Sequence, residues 1–569
     1  MKEKLSIYLL KAAQKSGVES DIMSLEYTEN SSNGDFSSNV AMVYAKKLGT
    51  TPRELAEKII EVFKSDMPDF VIAVEVAGPG FINFFIKDEA FVEEIFRPGV
   101  QVNAKSLQRV LVEHTDPNTF KPFHIGHLMA NAIGESLARL IIFSGDNVTK
   151  LCYPSDIGLH IAKSIWAISK NKPIVPEAGA PVIERTAFLG KMYAEGTLAY
   201  DADVTAKAEI NALNKIIYEK SDAETNAWYE KGKRWSMEHF ELLYKRLGTS
   251  FDEVFFESDM APIGKEIVKN NIGKIFEESE GAVVFPGEKY GVHTRVFLNS
   301  HGLPTYEAKE LGLNTSKFKK YPDTDLSIVV TANEQNDYFK VLVKTLSLLD
   351  ENIGKKTMHI GHGMLRLSTG KMSSRTGKVI TAETLIDEIK SLVLEKMKDN
   401  KEHATNKDAI ADMIAIGAIK YTILRQAIGS DVIFDSAKSI SFEGDSGPYL
   451  QYSAVRAQAV LAKAKEEGVV MMTSDNMTGN SLPTQVTYLE KLLVRFPDIV
   501  SRARSEYAPQ HISSYLIALA GEFNSFYARQ TIVDKNDPLS LYYVALTKSF
   551  FETLTKGLWI LGIGVPEKM

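Results

Sequence analysis

Residues 112–128 read Val112-Glu113-His114-Thr115-Asp116-Pro117-Asn118-Thr119-Phe120-Lys121-Pro122-Phe123-His124-Ile125-Gly126-His127-Leu128. They continue a short apolar strand, Arg109 to Val112, cross a polar turn at Pro117 and Asn118, and enter a helix through His124-Ile125-Gly126-His127. A strand, a Gly-containing turn and a helix make an anion site by geometry. The first N–H groups of a helix lack partners within it, and its dipole is positive at that end. Two histidines three apart add donors for phosphate oxygens, and Gly126 lets a nucleotide approach the backbone. Further on, Leu128 to Phe143 carries apolar residues at helical spacing, Gly145-Asp146 ends the helix, and Val148 to Tyr153 reads as the next strand. Such a βαβ unit predicts a parallel sheet with its ligand at the strand C-termini. Ser155 to Gly158 falls on that edge, where Asp156 is either a ligand contact or a loop-capping carboxylate.

The chain has 569 residues, 44% hydrophobic and 24% charged, which predicts a folded protein of about three or four domains. A net charge of −7 does not advertise bulk nucleic-acid binding, but it leaves room for a local basic face. The single cysteine, Cys152, sits in an apolar run and reads as a buried strand residue. It excludes an intramolecular disulfide and a cysteine zinc cluster, and it fits a reducing cytoplasm. The N-terminus lacks the features of a signal peptide, and no apolar run reaches about 18 residues, so no membrane span is expected.

Working outward, residues 1–105 read as a small α+β domain. Thr51-Pro52-Arg53-Glu54 opens a capped helix, and Phe70 to Val76 and Phe81 to Ile86 flank Gly78-Pro79-Gly80 as a hairpin. Residues 106–385 read as a Rossmann-like parallel-sheet domain, interrupted at about 170–290 by a charged helical insertion. Residues 386–569 read as an all-α helix bundle. Its tail from Gly447 on is close to neutral, and its aromatic set (Tyr515, Phe523, Phe526, Tyr527, Tyr542, Tyr543) is expected in a core rather than as a base-stacking platform. A second polar and basic stretch, Ser368-Thr369-Gly370-Lys371-Met372-Ser373-Ser374-Arg375-Thr376-Gly377-Lys378, suits a mobile loop over phosphates.

Together, His124-Ile125-Gly126-His127 and the Lys371 loop resemble the HIGH and KMSKS motifs of class I aminoacyl-tRNA synthetases. GDFSSNVAMVYAKKLG at 34–49, VAGPGFINFF at 76–85, FEGDSGPYLQYSAVRAQ at 442–458 and LGIGVPEKM at 561–569 are similar to arginyl-tRNA synthetases. That resemblance covers essentially the whole chain. It implies a ligase that activates arginine with ATP, in the presence of Mg2+ held by the phosphates, and transfers it to the 3′-terminal adenosine of a tRNA. It implies a tRNA-touching domain at 1–105 and anticodon binding from about 446, in a cytoplasmic monomer. His124, His127 and Lys371 would be catalytic. Gly126, Ser373, Ser374 and Arg375 would join them at ATP, and no protein metal ligand is implied.

A guanidinium asks for an acid-lined slot. The resemblance assigns Glu113, Asn118, Tyr306 and Gln335 to the amino acid. Glu310, four residues after Tyr306, stands where the family commonly has Asp. Ser374 stands where the loop usually has a second Lys, with Arg375 one residue later. A non-catalytic tRNA-binding relative would not need intact HIGH and Lys371. A small-metabolite nucleotidyltransferase would not need the helical C-terminal part.

Overall fold

The structure, a computed structural model, describes residues 1–28, 30–97, 107–177, 179–368, 380–397, 406–469, 471–472 and 482–569. It forms two compact units. One comprises Met1–Gln101, Ala457–Pro497 and Glu522–Thr553, and the other comprises Val102–Arg456, Asp498–Gly521 and Leu554–Met569.

In the first unit, β1 (Glu26–Tyr27), β2 (Phe36–Ser38), β3 (Val71–Ala77) and β4 (Phe81–Ile86) form an antiparallel sheet in the order β1-β2-β4-β3. The expected hairpin is β3–β4. Helix Pro52–Lys64 starts in a complete capping box, with Thr51 and Glu54 satisfying each other's backbone N–H groups. It buries Leu55, Ile59 and Phe63, and Phe63 meets Phe84 edge-on at 5.2 Å. The Gly34–Asn39 stretch does more than turn the chain. Asp35 accepts from Ile86 N at 2.9 Å and pairs with Lys491 of helix Tyr488–Glu506 at 2.7 Å. Asp88 likewise accepts from Val486 N at 3.2 Å. Polar contacts thus join Asp35 and Asp88 to residues 456 and 398 positions later within one unit.

The second unit is built on β5 (Arg109–His114), β6 (Asn147–Cys152), β7 (Glu253–Val254), β11 (Leu326–Ala332) and β12 (Thr357–His362). Among the described residues these five strands run parallel in the order β12-β11-β5-β6-β7, as the βαβ reading predicts. Cys152 is buried at the end of β6. The stretch expected as an insertion contains three long helices, Val182–Ala202, Val204–Glu219 and Ala223–Leu247. It then returns to the sheet, because β7 pairs with β6 at its edge. Three short antiparallel strands follow, β8 (Glu277–Ser279), β9 (Ala282–Phe285) and β10 (Arg295–Leu298), whose Phe285 and Phe297 join a buried cluster with Phe276 and Leu342. Past residue 380 the described chain is helical apart from β14 (Val432–Phe434), which pairs in parallel with β13 (Leu365–Leu367). In the expected aromatic core set, Tyr515, Phe523 and Tyr542 are buried, and Tyr527 is 42% exposed. No helix of the described residues is long and apolar enough to cross a membrane.

Helices Glu257–Asn270 and Tyr306–Lys320 of the second unit approach backbone to backbone through Gly264 and Gly312. A Cβ on Gly264 would lie 1.8 Å from Ala308 O, and one on Gly312 would lie 2.3 Å from Met260 O. Neither contact can relieve itself by a rotamer change, so the helices would have to separate. Gly312→Ala is expected to lower stability by about 1–3 kcal/mol or more, read as a fall in the urea midpoint. Gly273→Ala, in open space at φ 78, is the contrasting case, limited to backbone strain.

Candidate active site

Strands β5, β6, β11 and β12 end on one edge of the sheet, and a cavity of about 590 Å3 opens there. Glu113, Asn118, His124, Gly126, His127, Tyr306, Glu310 and Gln335 all line it. Residues more than 200 positions apart are brought together because β5 pairs with β11 and because helix Tyr306–Lys320 packs beside them. Lys371, Ser373, Ser374 and Arg375 lie outside the described residues.

The turn between β5 and the next helix holds a left-handed backbone at Thr115 (φ 83), Asp116 (φ 39) and Phe120 (φ 63), which costs of order 1–3 kcal/mol each. Its contacts over-determine it. Asp116 Oδ1 accepts from Tyr153 N at 2.7 Å, Asn131 donates to Thr115 Oγ1 at 3.1 Å, and Phe120 N donates to Ser236 Oγ at 2.9 Å. Thr119 N and Ser155 N close a ladder with Ser155 O and Pro117 O, each at 3.0 Å.

Helix Ile125–Phe143 begins with His124 as its N-cap. His124 Nδ1 accepts from Gly126 N at 3.1 Å, and His127 Nδ1 accepts from His124 N at 3.3 Å, a capping box made of two imidazoles. The rings stack at 3.6 Å. A Cβ on Gly126 would sit 3.0 Å from the His124 ring, which would have to shift by a few tenths of an ångström to admit it. Burial pushes both histidines below their ordinary pKa, with the neighbouring His124 and Lys121 adding to the effect at His127. Each ring is therefore neutral, and because each Nδ1 accepts, each proton sits on Nε2. Asn118 meets His127 Nε2 at 3.3 Å, so its amide oxygen must face that ring to accept.

The helix start differs from the sequence expectation in one respect. Free backbone N–H groups are expected there, yet Ile125 N donates to Ile380 O at 3.2 Å and Gly126 N to the His124 ring. The side-chain donors at the helix start are the imidazole Nε2–H groups, that of His127 already shared with Asn118.

The other end of the cavity is acidic. Glu113 is 1% exposed and pairs with the fully buried Lys317 at 2.8 Å. Glu257 pairs with Lys309, and Glu307 with Arg295 at 3.1 Å. Lys309 also lies 4.2 Å over the ring of Tyr306, which is 55% exposed. Glu310, one turn along from Tyr306, receives Asn314 Nδ2 at 3.3 Å and has no basic partner among the described residues. Burial and the nearby Glu113 raise its pKa to about 8. Gln335 ends a short 3-10 turn after β11 at the exposed rim.

Asp156 is not part of this cavity. It is fully buried, pairs with Lys233 at 2.6 Å and accepts from Tyr229 Oη, Ser258 N and Ser258 Oγ. Four partners leave a ligand nothing to bind, so the loop-capping reading is the correct one. Conversely, Asp116, Tyr153, Glu257 and His362 line the cavity without having been singled out. Tyr153 and His362 follow or end parallel strands, and the strand-end rule applied to every strand would have found them. Nothing local marks Glu257.

A family model described as "tRNA synthetases class I (R), catalytic domain" matches residues 92–436. "Arginyl tRNA synthetase N terminal domain" matches 2–86, and "DALR anticodon binding domain" matches 450–569. The chain is 29% identical over 566 residues to the arginine–tRNA ligase of Bacteroides fragilis, and 30% identical over 570 residues to that of Phocaeicola vulgatus. In each case 93% of both chains is covered. The solved arginyl-tRNA synthetase of Thermus thermophilus superposes with a TM-score of 0.81 at 22% identity, covering 100% of both chains, a likeness of fold.

The Glu113–Lys317 pair gives a direct test of the cavity wall. Lys317→Met strands a buried carboxylate and is expected to cost about 3–5 kcal/mol in denaturant unfolding. The double variant Glu113→Gln with Lys317→Met should recover most of that loss.

Proposed function

The chain belongs to the class I arginyl-tRNA synthetases, and from that premise we propose that the cavity at the strand ends is where arginine and ATP meet. The enzyme is an arginine–tRNA ligase that uses ATP. The observation that carries the assignment of the cavity is its division into two ends. Neutral Nε2–H donors stand at the helix start, and across from them is an acidic wall in which Glu310 has no basic partner among the described residues.

In the first step the arginine carboxylate attacks the α-phosphorus of ATP. The bond to the bridging oxygen breaks, and pyrophosphate leaves. Little acid–base chemistry is needed, and alignment and charge stabilisation dominate. His124 donates from Nε2 to the phosphoryl oxygens as charge builds there, and His127 exchanges Asn118 for them as the partner of its Nε2–H. Glu310 takes the guanidinium, Tyr306 packs against it, and Glu113, Asn118 and Gln335 complete the amino-acid wall. Lys371, Ser373, Ser374 and Arg375 close on the β- and γ-phosphates. Mg2+ would be held by the phosphates of ATP itself. In the second step a hydroxyl of the terminal adenosine attacks the activated carbonyl, loses its proton and displaces AMP. The segment 1–105 and the helices from about 446 hold the tRNA, and the catalytic segment 106–385 receives its 3′ end. The working state is a cytoplasmic monomer.

Charging of total tRNA with each of the twenty amino acids tests the reading. Arginine alone should be accepted, and preferential charging with any other would overturn it. Replacing His124 and His127 together by Ala should lower kcat by at least about 10²–10³-fold while tRNA binding stays within a few-fold. The pH dependence has a definite sign. Below about 8 Glu310 is neutral and cannot pair with a cation, so the KM for arginine should fall as pH rises through that value. Glu310→Gln should raise KM and flatten this dependence.

A further inference from the structure

Arginine carries two cations, a guanidinium and an α-ammonium, at opposite ends of the molecule. Three carboxylates of the cavity already have cations of their own: Glu113 has Lys317, Glu257 has Lys309, and Glu307 has Arg295. Away from the exposed rim, two have none among the described residues, Glu310 and Asp116. Asp116 stands two residues before Asn118, whose amide meets His127, whereas Glu310 stands on the helix that carries Tyr306. We propose that Asp116 binds the α-ammonium group of the substrate, with Glu310 on the guanidinium, so that two unpaired carboxylates measure the length of arginine.

This inference rests on the cavity being the arginine site. Asp116 is positioned to accept from a cation. Tyr153 N holds Oδ1 at 2.7 Å, the left-handed backbone at φ 39 fixes the approach, and among the described residues no partner takes Oδ2. The groups that face it are Glu113 on β5, Glu310 and Lys317 on helix Tyr306–Lys320, Cys152 and Tyr153 at the end of β6, and Tyr244 on helix Ala223–Leu247. Lys317 is the one cation in that set, and Glu113 already occupies it. Burial and Glu113 push Asp116 well above the usual carboxylate range, the strain that a bound ammonium would relieve. An ammonium held at this turn puts the carboxylate on the same carbon beside Asn118 and the stacked histidines, where the attack on phosphorus takes place.

Two analogues separate the ends. Agmatine keeps both cations and lacks the carboxylate, and 5-guanidinopentanoate keeps the guanidinium and carboxylate and lacks the ammonium. Their inhibition constants against arginine in tRNA charging are measured for the full-length enzyme, Asp116→Asn and Glu310→Gln. Asn at 116 still accepts from Tyr153 N, so the turn is preserved. Asp116→Asn should weaken arginine and agmatine about tenfold to a hundredfold and leave 5-guanidinopentanoate within about twofold. Glu310→Gln should weaken all three. Equal weakening of all three by Asp116→Asn, or weakening of none, overturns the inference. If the unaltered enzyme does not charge with arginine, the reading of the cavity fails instead.

Discussion

A buried ion pair, Glu113 to Lys317, ties the strand that leads into the histidine-capped end of the cavity to the helix that forms its acidic end. Such a pair adds little net stability, because desolvating both ions offsets their attraction. Its strength is conditional: either partner alone would be a buried, uncompensated charge. Helix Tyr306–Lys320 therefore docks against β5 in one register. The Gly264–Gly312 crossing holds the same helix against Glu257–Asn270 from the other side. With the helix clamped at both faces, Tyr306 and Glu310 project into the cavity at a set distance from the turn after β5.

That turn carries the counterpart constraint. Three non-glycine residues in left-handed conformations are an expense the fold accepts within six positions. They redirect the chain so that Asp116 and Asn118 face the cavity and His124 caps the helix. The two imidazoles then fix each other's proton positions through backbone donors. Charge stabilisation at the helix start thus falls to side-chain N–H groups whose tautomers are set before any ligand arrives.

The parallel sheet, the helix after β5, the capped helix at Thr51 and the C-terminal helices were legible, because periodicity and punctuation are local signals. The edge strand β7 was not, since two residues between long helices carry no periodicity and acquire strand character only by pairing with β6. Asp156 illustrates the limit for a site. An acidic residue just past a strand end reads the same whether it meets a ligand or Lys233, and only the 77-residue return of the chain decides. Asp35 is similar, since Lys491 lies more than 450 residues away.

The order of residues by itself determined that a strand, a turn and a histidine-capped helix follow one another, that Glu310 lies one turn from Tyr306, and that the chain has the motifs of its family. Covalent order and helical pitch are enough for that. Which carboxylates already have cations was decided only by the tertiary structure. The packing of β5, the Glu257–Asn270 helix and the Tyr306–Lys320 helix assigns Lys317 to Glu113 and Lys309 to Glu257, while Glu310 and Asp116 have no such cation among the described residues. Charge is a property of each residue, but neutralisation belongs to the pair, and pairs form between residues that folding alone brings within a few ångströms.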